Sequence, residues 1–387
     1  MTTADLLSQF RGAFPTSNPN ARRVASALEA PGCHRRTVLD ASAVNLDKLG
    51  ALITGEAKDR QSPFAITRGN KFETSVTDNG MATLLALARE HLGLSIPEAR
   101  QKDLSAAAVR EESPGLSHGR LNERRALLTR QYVKQMLSAP MAAVNLLRHA
   151  MTAIDFGGKV VHLEQDALAF AVDGRIHVTE IKSFACIDGQ ADPEKASATV
   201  RQAAVYVLSL QNLVESLGAS RDAVDTRVLV VLPENLTFRA IGVVVDVEMQ
   251  VRRLRRQLAA VPRVVDILDG VPPGTSLPAA PGDGALAEQV QSARALAREA
   301  LSHLPPRFGD GCVSCPLFKS CREEASDQSL VTRLGNAVAG LCGGVTTINA
   351  ALDLSTGRRQ PANASEAAVA EMLVRSANAF AYALKVG

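Results

Sequence analysis

The chain has 387 residues, 46% apolar and 21% charged, with a formal net charge of +3. That is the composition of a globular protein of one or two domains, and no apolar run reaches the roughly 20 residues that a membrane-spanning helix needs. Trp is absent and aromatics make up 4% of the chain, so the core must be built mainly from Ala, Val and Leu.

Residues 1–30 are predicted to be weakly amphipathic helix, with Asn/Pro punctuation over 15–20. The stretch MTTADLLSQFRGAF has neither the basic start nor the apolar centre of a secretory signal. A cytoplasmic location is therefore expected, where structural disulfides are rare. Pro31-Gly32 breaks the chain before Cys33-His34-Arg35-Arg36, and a polar, turn-rich passage runs to about Arg68. From Gly69 the pattern predicts a helix, a break at Asn79-Gly80 and a second helix. Residues 96–118 read as a loose connection. Apolar spacing over 119–153 predicts helix with a kink at Pro140, a helical insertion ahead of a sheet.

Residues 160–184 hold three strand-like runs, with a turn at Asp173-Gly174 between the second and third. Pro193 opens a long helix over about 194–216. Residues 226–232, TRVLVVL, form a continuous apolar run expected of a buried strand. Residues 241–268 pass from strand to helix, 271–284 is linker by composition, and an Ala-rich helix over 286–304 leads to a cysteine cluster. Helices are expected near 328–342 and 363–384. The organisation predicted is an N-terminal helical segment (1–68), a core (69–270) with its helical insertion (96–153), a linker (271–285), a cysteine-rich region (286–325) and a helical tail (326–387). There is no internal repeat and no long run of one charge.

Two sets of residues carry chemistry. In the first, Asp166 sits on the middle strand run and Glu180-Ile181-Lys182 on the last. Strand side chains alternate, so Glu180 and Lys182 share a face. Buried charge is costly unless it is paired, binds a metal or does chemistry. Phosphodiester hydrolysis uses a divalent cation, and hard cations take carboxylate and carbonyl oxygens. Asp166 and Glu180 could supply the carboxylates, the Ile181 carbonyl a third ligand, and Lys182 charge for the transition state. On the following helix Gln202 and Tyr206 are four apart and share one face. Gly69 and Glu73 are likewise four apart upstream. An isolated Glu-x-Lys on a strand is commonly a solvated ion pair; Asp166, Gln202 and Tyr206 in order around it favour a chemical role.

Asp166, Glu180-x-Lys182 and Gln202-xxx-Tyr206 together resemble the PD-(D/E)xK nuclease superfamily, in its RecB-like branch. The resemblance implies a restriction-endonuclease-like α/β fold, a mixed central sheet flanked by helices. It also implies Mg²⁺ or Mn²⁺ held by Asp166 and Glu180, with Lys182 catalytic and Gln202 and Tyr206 near the metal and the DNA strand. Many RecB-like members carry a His four residues after the helix Gly as an extra metal ligand; here that position is Glu73.

The second set is cysteine. Cys312, Cys315 and Cys321 give C-x2-C-x5-C, in which two thiolates of the tight turn can reach one centre and Cys321 folds back as a third. Cys33 is the candidate fourth. Spacing leaves zinc and iron–sulfur both open, since Cys₄ sites suit either. The set resembles that of the iron–sulfur RecB-like nucleases, including the CRISPR-associated exonucleases and the nuclease domain of AddAB-type helicase–nucleases. That resemblance implies a structural 4Fe-4S cluster rather than zinc, clipping the two chain ends around the core.

Cys186 and Cys342 are expected to pack as small apolar residues. His177, three residues before Glu180, falls on the opposite sheet face. The run Arg252-Arg253-Leu254-Arg255-Arg256 suggests phosphate contacts, although arginine-rich helix faces are commonly just solvated. No aromatic interleaving offers a base-stacking platform. No GxxxxGK(S/T) loop is present, so any ATP-driven unwinding would come from a separate helicase. The resemblance thus implies a metal-dependent DNA nuclease, an exonuclease or an end- or single-strand-directed enzyme, in repair, recombination or defence against foreign DNA. The alternative is a non-catalytic DNA-binding or assembly subunit on a nuclease-like scaffold.

Overall fold

The computed structural model describes residues 2–17, 20–56, 63–96, 98–138, 144–165, 168–172, 174–235, 237–282, 284–326 and 329–386. Helix α1 (Thr3–Arg11) starts on a capping box in which Thr2 and Asp5 satisfy each other's backbone N–H. Helices α2 (Ala21–Leu28), α3 (His34–Ala41) and α4 (Leu46–Thr54) follow. The passage expected to be turn-rich to Arg68 therefore holds two helices and the start of a third. Seven of the eight α3 residues, Arg35 to Ala41, are buried, and it is this packing that stabilises a helix too short and too polar to persist alone.

Helix α5 (Pro63–Leu92) is one span of 30 residues. The break expected at Asn79-Gly80 is a local step within it: Gly80 and Met81 take φ of 65° and 67°. Strand β1 (Gln101–Asp103) and helix α6 (Ala106–Glu112) occupy the stretch read as loose connection. Helix α7 (His118–Ser138) is the predicted one, but the expected insertion does not stay helical. Residues 146–156 form β2 (Leu146–Arg148) and β3 (Met151–Phe156), and Pro140 lies outside the described residues. Helical spacing there was accidental; pairing decides the outcome, β2 with β1 and with residues 169–170, and β3 in a hairpin with residues 159–164.

The remaining strands are β4 (Lys159–Glu164), β5 (Leu168–Val172), β6 (Arg175–Ile181), β7 (Cys186–Ile187), β8 (Gln190–Ala191), β9 (Arg227–Pro233) and β10 (Ala240–Asp246). Between β8 and β9 runs α8 (Pro193–Ser216), capped by the Asp192 carboxylate accepting from the Lys195 N–H, with Pro193 in its first turn. Helices α9 (Glu248–Ala259), α10 (Val264–Asp269), α11 (Ala287–Ser302), α12 (Phe318–Ser326), α13 (Asn336–Leu341), α14 (Ile348–Ser355) and α15 (Ala364–Val386) complete the chain.

These elements form two units. One comprises Asn18–Leu28 and Asp59–Val261; the other comprises Met1–Ser17, Glu29–Lys58 and Pro262–Gly387. The first is mixed α/β, built on a six-stranded sheet of order β1-β2-β5-β6-β9-β10. β1 pairs parallel with β2, and β6 parallel with β9; the other three pairings are antiparallel. Alternation along β9 fills both faces. Val228 and Val230 join a core with Ile176, Val178 and the Ala203–Leu208 stretch of α8, while Leu229 and Val231 join Phe72, Val76 and Leu84 of α5. The expected central mixed sheet flanked by helices is therefore present. One correction concerns the three strand runs: β5 and β6 are a hairpin of this sheet, but β4 pairs with β3 in a separate two-stranded sheet.

The second unit is helical. Phe10, Phe14, Leu39, Leu49, Leu301 and Leu304 share its core, and Val331, Cys342, Leu354 and Val369 form a smaller one. Segments that the linear reading kept apart, near the two ends of the chain, pack here as one body, whereas α2 belongs to the sheet unit.

Candidate active site and cysteine cluster

β6 ends where the candidate site begins. Its even-numbered residues face α8, so Glu180 lies on that side, fully buried at 0% exposure. Two residues on, the Lys182 ammonium lies 2.5 Å from Glu180 Oε1 and donates to Gln202 Oε1 at 3.0 Å. Gln202 Nε2 in turn donates to the Tyr206 hydroxyl at 2.9 Å. Gln202 is 8% exposed and Tyr206 0%. The two motifs predicted from sequence thus meet in one network, Glu180–Lys182–Gln202–Tyr206. It spans sheet and helix because β6 and α8 face each other across the core. The main chain at Lys182 is fixed as well, its N–H donating to the Val231 carbonyl at 2.9 Å.

The other predicted residues are placed less directly. Asp166 lies outside the described residues. Its neighbour Gln165 is fully buried and donates to Thr152 and Ser209, both at 3.3 Å. Ser209 lies three residues beyond Tyr206 and donates to its carbonyl at 2.9 Å. That buried polar set ties the chain just before Asp166 to α8, and the sequence reading passed over it. Ile181 turns its side chain to the opposite face, against the α5 core, which leaves its carbonyl as the group relevant to a cation. Glu73 is exposed on α5, and among the described residues no hydrogen bond or ion pair joins its side chain to the network. One turn before it, Gly69 sits so close to Ser183 that a Cβ would lie 3.2 Å from the Ser183 hydroxyl, so this part of α5 abuts the end of β6. Arg68, beside that contact, has its Nη2 shielded from solvent with no hydrogen-bond partner among the described residues. Among the same residues, no group of three or more His, Cys, Asp or Glu side chains is placed to hold a metal ion.

Comparison with protein-family models, curated proteins and solved structures finds no match.

His177 faces away from Glu180, buried at 2%, 3.4 Å from Asp225 and stacked on Phe170 with ring centroids 5.5 Å apart. The arginine run on α9 is largely engaged. Arg252 pairs with Glu248, and Arg255 donates to Gln211 at 2.8 Å and Asn212 at 3.2 Å. Both line a cleft with Arg175, which starts β6. Five residues separate Arg175 from Glu180, about 17 Å along a strand, so these arginines lie well away from the candidate site.

The four predicted cysteines all belong to the helical unit. Cys33 caps the start of α3, and the other three occupy the turn before α12 and that helix. Successive backbone bonds, Cys312 N–H to Gly309 and Cys315 N–H to Cys312, each 3.0 Å, wind the turn tightly. Two glycines allow it to pack: a Cβ at Gly50 would lie 2.7 Å from the Pro316 carbonyl, and one at Gly309 2.6 Å from that of Glu29.

The thiols sense one another. Burial pushes Cys33 up, and the nearby Cys315 adds to this against backbone donors from Arg307 and Arg36. Cys312 is pushed up by burial, with Cys33 and Cys315 adding and the Gly309 N–H opposing. Cys321 is pushed up to about 12, by burial first, against the charge and hydrogen bond of Arg35. Thiols crowded this way resist ionising together, and a cationic centre removes that penalty. Two guanidiniums missed as functional residues at the sequence level, Arg35 and Arg36, are buried beside them. Cys342 is buried with the smaller core, and Cys186 with the sheet core.

Proposed function

We propose that this chain is a metal-dependent deoxyribonuclease with a restriction-endonuclease-like core, a PD-(D/E)xK enzyme of the RecB-like kind, carrying an iron–sulfur clip. The observation that carries the reading is Lys182 lodged between the buried Glu180 carboxylate and Gln202, with Tyr206 behind. A lysine in a solvated surface pair has no reason to be held from two elements at once.

The donor set fits the groups implied. Glu180 offers a buried carboxylate and Ile181 a main-chain carbonyl, as a hard cation requires. With Asp166 they would hold Mg²⁺ or Mn²⁺, which supplies Lewis acidity toward phosphate oxygens and water. Lys182 holds a fixed positive charge where negative charge develops on the phosphate; preorganised charge of this kind acts strongly in a site shielded from water. Tyr206, accepting from Gln202 Nε2, sets the amide so that its oxygen faces Lys182. Cys33, Cys312, Cys315 and Cys321 would hold the 4Fe-4S cluster, and that crowded thiol set between two arginines suits an anionic sulfur centre. DNA ends or single strands are the substrate favoured by the resemblance, in repair, recombination or defence, with a separate helicase as the partner for duplex unwinding.

The test is cleavage of labelled single- and double-stranded DNA, with Mn²⁺ and with chelator. Wild type should cut only with the cation, and Lys182→Ala should be slower by about 100-fold or more. Equal rates in the two proteins, or binding without cleavage by wild type, would replace the enzyme with a DNA-binding subunit.

A further inference from the structure

Arg35 lies at the second position of α3, two residues after Cys33, with its side chain 3% exposed. Its guanidinium is fixed from several sides. Nε donates to the Leu304 carbonyl at 3.0 Å, and Nη2 to the Leu301 carbonyl at 2.9 Å and to Glu324 Oε2 at 2.8 Å. The remaining bond runs from Nη1 to Cys321 Sγ at 3.1 Å. A planar fork held at Nε and Nη2 cannot swing, so the direction of Nη1, and with it the seat of the Cys321 sulfur, is imposed by the end of α11. Glu324, three residues after Cys321, lies on the same side of α12 and steadies the fork from the helix that carries the sulfur. Such an arrangement is more than a buried cation needs in order to be neutralised, since Glu324 alone would do that.

We propose that Arg35 is a positioning residue for an iron–sulfur cluster. It seats Cys321 as a ligand and, by donating to its sulfur, favours the reduced state of the cluster. The inference rests on reading Cys33, Cys312, Cys315 and Cys321 as the cluster ligands. A donor on a ligand sulfur withdraws electron density, and one-electron reduction adds negative charge to the centre, so the bond strengthens on reduction. Hydrogen bonds to ligand sulfurs are among the levers that set cluster potentials, and this one is buried, where it acts undiluted by water.

The experiment uses the full chain, purified anaerobically, as wild type, Arg35→Gln and Arg35→Lys. It measures iron and sulfide content, the rate of iron loss to a chelator, and the midpoint potential from a dithionite titration followed by absorbance. Arg35→Gln should lose iron about 10–100-fold faster than wild type, in line with outer-shell partners elsewhere, and its midpoint should move to a more negative potential. Arg35→Lys, which keeps the charge but not the fork, should fall between. Wild type holding iron and sulfide while both variants match its rate and potential would overturn the role of Arg35 and leave the cluster standing. Wild type holding zinc, or neither iron nor sulfide, would overturn the cluster and this inference with it. Should circular dichroism show Arg35→Gln unfolded, Arg35→Lys decides alone: wild-type values there overturn the proposal, and faster loss with a lowered potential supports it.

Discussion

Lys182 is held by residues from two motifs, and each contact has a measurable consequence. Tyr206→Phe removes the acceptor for Gln202 Nε2 inside a buried network. A buried donor left unpaired costs about 1–2 kcal/mol, so the urea midpoint should fall by a matching amount and cleavage should slow. Unchanged stability together with an unchanged rate would detach Tyr206 from the site. A second residue sits on the far face of the sheet. Burial works against the Asp225 carboxylate, but hydrogen bonds from Arg227 and the charges of His177 and Arg227 outweigh it, holding the group below its ordinary 3.8. The unfolded chain then takes up a proton at higher pH than the folded one. The stability it contributes is complete above 3.8 and is lost as pH falls through the lowered value. Asp225→Asn should therefore flatten the acid limb of stability below about pH 4, measured by denaturant midpoints; a limb as steep as wild type's would contradict the assignment.

At the level of elements, β6 and α8 carry the candidate chemistry because each was legible from its own pattern. Alternation placed Glu180 and Lys182 together, and the four-residue spacing placed Gln202 and Tyr206 on one helix face. The cysteine turn is different, since its position depends on close approach to α4. Adding a Cβ at Gly50 would drive it to 2.7 Å from the Pro316 carbonyl, and backbone cannot yield as a flexible side chain would. Gly50→Ala should lower stability by about 1–3 kcal/mol, the usual cost of overpacking, despite alanine's better helix propensity. It should also reduce iron retained per chain. A variant as stable as wild type and equally loaded with iron would show that the turn does not need this approach.

Across the whole molecule, the two sets of candidate residues fall in different units. Glu180, Lys182, Gln202 and Tyr206 belong to the sheet unit, and the four cysteines to the helical one. If the four cysteines hold a cluster, its loss should loosen the helical unit first. Hydrogen exchange after oxidative removal of iron should rise in α3, α11 and α12 while β6 and α8 keep their protection, because local opening follows cooperative units. Exchange rising equally in β6 and α8 would mean that the cysteine site supports the sheet unit directly.

The residue types and spacings of both sites, the β5–β6 hairpin, the long α8 and the buried β9 were determined by the sequence alone, because each is a matter of local period, cap or turn. Tertiary structure decided that 146–156 is strand despite its helical spacing, that β4 leaves the main sheet for β3, and that polar stretches over 34–54 become helices. β3 and β4 pair as a local hairpin, but β2 and the helices over 34–54 depend on partners distant in sequence, whose packing outweighs weak local preference. The same holds for Arg35: its four bonds reach residues more than 260 positions away, and no window of sequence contains them.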